Sequence, residues 1–170
     1  MARNIEIKSH LRDKNEVLDA LKELTNHPGE IIKQTDTFFG VPKGRLKLRQ
    51  IEGACSELIF YDRPNTDGPK LSNYEKYEFS ENSNLLSVLC QSLDVKGVVK
   101  KVRYLYMIDQ TRVHIDEVEG LGHFLELEVV LKSGQTSEEG QQIAEDIMAK
   151  LGIKNDDLIA GAYMDLLLKK

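Results

Sequence analysis

The sequence predicts an α+β protein built on a closed, eight-stranded antiparallel β-barrel with helices packed outside it. Eight segments alternate polar and apolar residues with a period of two, which is the pattern of a β-strand. Short turns containing Gly or Pro separate many of these segments, as in antiparallel hairpins. Eight hairpin-linked strands can close into a barrel that leaves no free edge. An open α+β sheet is the alternative.

The chain begins with one alternating segment and one amphipathic helix. "NIEIKSH" at 4–10 alternates apolar and polar residues and predicts the first strand. In "DKNEVLDALKELTN" at 13–26, Asp13 is followed three residues later by Glu16, and apolar residues then recur at helical spacing. This pair of residues is a helix start signal, so we expect a helix after the first strand.

Two further groups of strand-like segments, with polar and apolar residues alternating, follow along the chain. After each group, apolar residues recur at helical spacing. Leucines at helical spacing predict a helix over 81–93, and Thr136 with Glu139 forms a capping box that opens another helix over 136–152. We expect 156–170 to close the chain as a helix, and we expect 1–170 to form one domain. The seven further strands are predicted at 30–40, 45–52, 56–64, 70–80, 95–109, 111–120 and 123–131.

Composition narrows the range of functions. The chain has 170 residues and a formal net charge of -5, which argues against a general nucleic-acid binder because such proteins present a net basic surface. No stretch approaches the roughly 20 apolar residues of a membrane span. Cys55 and Cys90 are isolated and lack metal-ligand spacing, so a reduced, cytoplasmic setting is expected. A homodimer is left open.

Most of the predicted strands have one apolar face and one charged face. A solvated charged face is the usual explanation for a single strand. In this chain, however, like charges recur along the same face, where they repel unless opposite charges lie near them. Cationic and acidic strands would offset each other if both faced the interior of one barrel, which would then be a binding site. The same-face sets are Arg45, Lys47 and Arg49; Lys101 and Arg103; Arg112, His114 and Asp116; and Glu126 and Glu128.

The residue types on these faces point to a polyphosphate and a metal ion. Arginine and lysine bind phosphate oxygens, and clustered carboxylates are ligands for Mg²⁺ or Mn²⁺. The sequence contains no phosphate-cradling Gly-rich loop and no arrangement of a nucleophilic catalyst, so catalysis would need no covalent intermediate. The candidate metal-binding carboxylates are Glu6, Asp116, Glu126 and Glu128.

A series of motifs along the chain resembles the CYTH superfamily, the triphosphate tunnel proteins that include class IV adenylyl cyclases and thiamine triphosphatases. The family signature in the first strand is Glu-x-Glu-x-Lys, which "NIEIK" matches at Glu6 and Lys8 and departs from at Asn4. The segments "QTDTFF", "GRLKLR", "LIFYDRP", "KKVRYLY", "RVHIDEVEGLGHFLELEV" and "YMDLL" follow in family order. The resemblance implies an eight-stranded tunnel, a small-molecule triphosphate substrate and a divalent metal, Mg²⁺ or Mn²⁺.

The resemblance also implies roles for individual residues. Lys8 is the candidate catalytic residue, as a phosphate clamp or as a general base for the attacking water. Hydrolase members often carry a lysine in the strand "LIFYDRP", where this chain has Ile59 and Tyr61, and Lys76 on the next strand could replace it. The candidate phosphate contacts are Lys8, Lys47, Arg49 and Arg103, with Arg45, Lys76, Lys101 and Arg112 as further candidates on the same parity.

Histidine and tyrosine side chains carry weaker signals than the charged residues. His114 has no second histidine at ligand spacing, so we expect a hydrogen-bonded side chain rather than a metal ligand. The tyrosines at 61, 74 and 163 are expected either to pack or to accompany lysines in the tunnel.

Three functions fit these residues. The favoured one is a metal-dependent hydrolase of inorganic, thiamine or nucleoside triphosphate. An adenylyl cyclase would use the same tunnel to convert ATP into cyclic AMP and pyrophosphate. Cyclase members share a His-Phe pair upstream of the first-strand motif, and this sequence has none before Asn4, which favours hydrolysis. The third is a polyphosphate-binding protein without catalytic activity.

Overall fold

The computed structural model describes residues 2–169 and shows a closed antiparallel barrel with helices outside, as predicted. The order of strands around the barrel is β1-β5-β4-β3-β2-β6-β7-β8, and every neighbouring pair is antiparallel. The strands are β1 (Ala2–His10), β2 (Glu30–Phe39), β3 (Arg45–Ile51), β4 (Ser56–Asp62), β5 (Lys70–Phe79), β6 (Val95–Ile108), β7 (Thr111–Val118) and β8 (Gly122–Val130).

The helices lie between and after these strands. They are α1 (Lys14–Leu24), α2 (Leu85–Ser92), α3 (Ser137–Lys150) and α4 (Tyr163–Leu168). The predicted caps are confirmed: Asp13 accepts a hydrogen bond from the Glu16 amide at 3.1 Å, and Thr136 forms a capping box with Glu139.

The prediction of one closing helix over 156–170 was wrong in its extent. A 3-10 turn at Asn155–Asp157 comes first, and Gly161 has a φ of +82°, a left-handed conformation that precedes the short helix α4. Lys170, like Met1, lies outside the described residues.

The main apolar core lies outside the barrel. The apolar outward side chains of β1, β7 and β8 are fully buried beneath α1 and α3. Gly140 lets α3 approach β1 closely, since a Cβ at this position would lie only 2.6 Å from Ile5 Cγ1. The buried members of this core are Ile5, Ile7, Val17, Leu21, Val113, Ile115, Leu125, Leu127, Val129, Ala144, Ile147 and Leu151. Because these residues take the outward parity of their strands, the charged parity faces inward.

A second apolar cluster places α4 across one end of the barrel. Tyr163 and Met164 of α4 are buried against Phe38, Val99 and Phe124, which lie near the ends of β2, β6 and β8 at this side. Because Ala162 and Tyr163 also line the barrel cavity, the C-terminal segment forms part of the cavity wall at this end. Within residues 2–169, no helix is both long enough and apolar enough to cross a bilayer.

Candidate active site

The barrel encloses a cavity of about 220 Å³, and about half of the residues that line it are charged. Basic side chains outnumber acidic ones in this lining, eight against five, although the whole chain carries a net charge of -5. The cavity therefore concentrates positive charge in an acidic protein, which favours an anionic ligand. The basic residues are Lys8, Lys47, Arg49, Arg63, Lys76, Lys101, Arg103 and Arg112, and the acidic ones are Glu6, Asp36, Glu57, Glu126 and Glu128.

A buried carboxylate holds one group of cations together. The side chain of Asp36 is 1% exposed and accepts two hydrogen bonds from Arg49, at 2.8 and 3.0 Å. Lys47 Nζ lies 3.8 Å and Lys101 Nζ 3.6 Å from Asp36 Oδ2. Burial alone would raise the pKa of Asp36, but these cations hold it well below its usual value. Asp36 is thus an ionised counter-ion for three cavity-lining cations.

The two lysines of this group are charged at a cost. Burial, and then the nearby Arg103, lower the pKa of Lys101 to about 8. Burial and Arg49 likewise lower the pKa of Lys47 well below its usual value. An added anion would favour the charged forms of both lysines.

A second buried carboxylate orients Arg103. Asp116 accepts hydrogen bonds from Arg103 at 2.8 and 2.9 Å and from the Tyr163 hydroxyl at 2.7 Å. Although burial would raise the pKa of Asp116, Arg103 holds it below its usual value. The second guanidinium nitrogen of Arg103 also lies 3.5 Å from Glu126 Oε2. Asp116 therefore fixes the direction of an arginine that lines the cavity.

Lys8 lies deep in the cavity between a carboxylate and an aromatic ring. Its side chain is 5% exposed, and its Nζ lies 3.9 Å from Glu126 Oε2 and 4.0 Å from the centre of the Tyr163 ring. Burial lowers the pKa of Lys8, and Glu126 partly opposes that effect. Lys101 Nζ lies 4.9 Å from the same ring, so Tyr163 contacts both lysines.

A histidine and two glutamates form a cluster that could hold a metal ion. Ligand atoms of His114, Glu126 and Glu128 all lie within 4.8 Å of one another. Burial, and then the neighbouring Glu126 and Glu6, raise the pKa of Glu128 to about 7. Burial and Arg103 lower the pKa of His114 well below its usual value. A cation among these side chains would relieve the repulsion between the carboxylates.

The structure brings most of the predicted site residues together and separates two from the cavity. All of the predicted phosphate contacts line it except Arg45, whose guanidinium donates to Asp165 at 2.8 Å and to Asn65 at 3.0 Å instead. Among the predicted metal ligands, Asp116 does not line the cavity, because it lies behind Arg103. Glu6 lines it but is paired with Arg63.

Sequence reasoning missed three residues of the site. Asp36 is absent from the residues predicted from sequence. The hairpin of β2 and β3 places Asp36 directly opposite Arg49, and this pairing could have indicated it. Arg63 follows the end of β4, where strand parity gives no guidance. Glu57 also lines the cavity, and its carboxylate lies 3.0 Å from Lys76 Nζ.

The fold and the charged interior define a class of protein that comparison with known families identifies. The CYTH domain model matches residues 2–163, so the chain belongs to the CYTH family. Among its relatives, MJ0240, a candidate adenylate cyclase of Methanocaldococcus jannaschii, is 28% identical over 171 residues and is matched over 95% of this chain and 97% of its own length.

Solved structures share the fold at lower identity. The PH1012 protein of Pyrococcus horikoshii has a TM-score of 0.83 at 24% identity, with 96% of this chain and 98% of that chain covered. HpAC1 from Hippeastrum, a candidate adenylyl cyclase described as having a dominant triphosphatase activity, has a TM-score of 0.62 at 18% identity, with 94% of this chain and 91% of that chain covered.

Proposed function

We propose that this chain is a metal-dependent hydrolase of a triphosphate substrate, which it binds in the charged cavity of the barrel. The observation that carries the proposal is the excess of basic over acidic side chains in the cavity of an acidic protein. Phosphoryl transfer needs mainly positioning and stabilisation of negative charge, and a pre-oriented set of cations provides both. The activity described for HpAC1 supports hydrolysis as the reaction.

The cations would divide the work of binding and orienting the phosphates. Arg49 and Arg103 are each held by two hydrogen bonds to a buried aspartate, so they present fixed donors to phosphate oxygens. Lys47 and Lys101 add flexible point charges to the same cavity. In the reaction, water attacks the terminal phosphorus and the bond from this phosphorus to the bridging oxygen breaks. The diphosphate part of the substrate leaves with that oxygen, the attacking water gives up a proton, and the terminal phosphorus is released as orthophosphate. Lys8 is the candidate clamp on the oxygens of the transferred group.

A divalent ion, Mg²⁺ or Mn²⁺, would be held beside these cations. Glu126 and Glu128 fit this role because burial and mutual repulsion leave Glu128 with a pKa of about 7, so a cation would stabilise its ionised form. When bound, the ion would supply charge neutralisation and orientation of the phosphate oxygens. Asp116 is proposed as the residue that positions Arg103 and not as a ligand.

An adenylyl cyclase is the second candidate, because the M. jannaschii relative is a candidate adenylate cyclase. It would use the same cations but direct the ribose 3′-hydroxyl at the α-phosphorus. A polyphosphate binder without turnover would use the cavity without chemistry.

A product assay separates these functions. The protein is incubated with inorganic triphosphate, thiamine triphosphate or ATP, each with Mg²⁺, Mn²⁺ or EDTA. Hydrolysis releases orthophosphate, whereas cyclisation yields cyclic AMP and pyrophosphate. Lys47→Met should weaken triphosphate binding, whereas Lys43→Met, on the exposed turn between β2 and β3, should leave it unchanged. Cyclic AMP with pyrophosphate as the only products, or triphosphate that binds without turnover, would replace hydrolysis with one of the other two functions. Triphosphate that neither binds nor reacts under any of these conditions would refute all three.

A further inference from the structure

One buried nitrogen in the cavity has no hydrogen-bond partner. The side chain of His114 is 4% exposed, and its Nδ1 makes no hydrogen bond within residues 2–169. Oε1 of Glu128 lies 3.9 Å from this nitrogen, which is too far for a hydrogen bond. Buried polar atoms normally have a partner, so this atom requires an explanation.

The surroundings of His114 point to a cation. Glu126 and Glu128 lie in β8 next to β7, so that His114 is directly opposite Glu126 in the sheet. Their ligand atoms and that of His114 fall within 4.8 Å of one another. Metal–ligand bonds are about 2.0–2.2 Å long, so small side-chain movements would bring all three onto one ion.

Each glutamate has one oxygen that the neighbouring arginines do not occupy. Glu126 faces Arg103 and Lys8 through Oε2, and Glu128 faces Arg112 through Oε2. Among the described ion pairs, Oε1 of Glu126 takes part in none, and Oε1 of Glu128 faces only His114. The cluster can therefore offer two carboxylate oxygens without breaking the contacts to the arginines.

The other carboxylates that the sequence suggested as ligands are already engaged. Glu6 is paired with Arg63, whose second nitrogen also donates to the Gly161 carbonyl at 3.1 Å. Asp116 accepts hydrogen bonds from Arg103 and Tyr163. Both oxygens of Asp116 are engaged, and Glu6 is not one of the three clustered ligands and has one oxygen held by Arg63. Nδ1 of His114, in contrast, has no hydrogen bond to lose.

We propose that His114 is a nitrogen ligand in a mixed histidine–glutamate–glutamate metal site, and that this site binds Mn²⁺ or a later first-row ion in preference to Mg²⁺. Imidazole suits transition ions, whose affinities rise along the Irving–Williams order, whereas Mg²⁺ prefers an all-oxygen shell. This inference rests on the proposed function in one respect: the ion is placed beside a site that binds phosphate. Ion binding itself is measured without substrate.

Pulsed electron paramagnetic resonance of the protein loaded with Mn²⁺ tests the ligand directly. The wild-type spectrum should show hyperfine coupling to a nitrogen nucleus, and replacing natural histidine with ¹⁵N-labelled histidine should change it to ¹⁵N coupling. His114→Asn, which offers an oxygen in place of the nitrogen, should abolish the coupling. The matched control is His123→Asn, because His123 also faces a glutamate, Glu117, at 3.5 Å but is half exposed.

Calorimetry without substrate tests whether the site prefers Mn²⁺ to Mg²⁺. The wild type should bind Mn²⁺ more tightly than Mg²⁺, and His114→Asn should weaken Mn²⁺ binding by about tenfold or more, since even the loss of an outer-shell partner costs roughly 10–100-fold. Mg²⁺ binding by this variant should change little. Unfolding curves of the variants establish that they are folded, and the labelling experiment needs no variant.

Three results would overturn the inference: Mn²⁺ bound without nitrogen coupling, coupling that survives in His114→Asn, or Mg²⁺ bound as tightly as Mn²⁺. Binding of inorganic triphosphate in EDTA is measured in parallel. Normal triphosphate binding together with any of these results would reject the histidine ligand and leave the phosphate site standing. If the wild type binds inorganic triphosphate neither in EDTA nor with added metal, the proposed function is rejected instead.

Discussion

Replacing Asp36 with asparagine should destabilise the empty protein severely. Asp36 is the buried counter-ion of Arg49, Lys47 and Lys101, which lie within 2.8 to 3.8 Å of its oxygens. The substitution preserves the shape of the side chain and removes its charge. Three cations would then share one cavity wall without the carboxylate that offsets their repulsion.

The contacts set the expected size of the effect. Removing one partner of a buried ion pair costs about 3–5 kcal/mol, because the other charge is left uncompensated. Asp36 and Lys101 are almost fully buried, and Arg49 and Lys47 are exposed by less than a fifth, so solvent screens these charges poorly. We therefore expect Asp36→Asn to lower the free energy of unfolding by about 3–5 kcal/mol at neutral pH.

The pH dependence of this difference has a definite sign. The pKa of Asp36 is lower in the folded protein than in the unfolded chain, so its stabilisation is present above the unfolded pKa of about 3.9. The difference between wild type and Asp36→Asn should be largest near pH 5 to 6 and should fall as the pH rises towards 8, because losing Asp36 lowers the pKa of Lys101 further and this lysine can then lose its charge. The difference should also shrink as the pH falls below about 4, because the unfolded chain then gains a proton that the folded protein does not.

Urea unfolding at pH 7.5 in EDTA, with and without inorganic triphosphate, measures both effects. Ligand at about 1,000 times its Kd stabilises a protein by about 4 kcal/mol. Triphosphate should stabilise Asp36→Asn more than the wild type, because it replaces the missing counter-ion. Asp19→Asn, an exposed residue paired with Lys22, is the control and should change little. A loss below 1 kcal/mol, or equal stabilisation of both proteins by triphosphate, would refute the reasoning.

Three further outcomes are expected. Glu126→Gln combined with Glu128→Gln should abolish metal-dependent turnover in a folded protein, as circular dichroism and the phosphate assay would show, and unchanged turnover would exclude both as ligands. Lys8→Met should lower kcat with little change in triphosphate affinity, whereas Arg49→Ala should weaken both; full activity of Lys8→Met would exclude Lys8 from the chemistry. Triphosphate binding at pH 8 should take up protons, because the anion raises the pKa of Lys101 from about 8. Calorimetry in two buffers of different ionisation enthalpy measures that uptake, which Lys101→Met should reduce and whose absence would contradict this account.

The inward faces of the strands could be predicted from sequence because the side-chain period of a strand is two. That rule places Arg45, Lys47, Arg49, Arg103, Glu126 and Glu128 in one cavity, and the structure confirms this placement for all of them except Arg45. The barrel itself was predictable because the number of strands and the short turns favour closure without edges.

The period-two rule could not predict how far an inward side chain reaches into the cavity or which residue it pairs with. Asp116 has the inward parity of His114, yet Arg103 and Tyr163 cover it, because strand tilt and neighbouring side chains decide which inward groups reach the cavity. Arg45 lies at the start of its strand, where the carboxylate of Asp165 from the distant C-terminal segment pairs with it. Contacts between residues far apart in sequence leave no trace in local periodicity.

The position of the apolar core explains how the barrel tolerates so much buried charge. In a small barrel the interior is usually filled by side chains that pack together. Here the outward faces of β1, β7 and β8 pack on α1 and α3, so hydrophobic stabilisation is obtained outside the barrel. The interior can then hold lysines that are unfavourable in their charged form, such as Lys101 with its pKa of about 8. A bound polyanion would reverse that cost, so the instability of the empty interior is itself a source of affinity for phosphate.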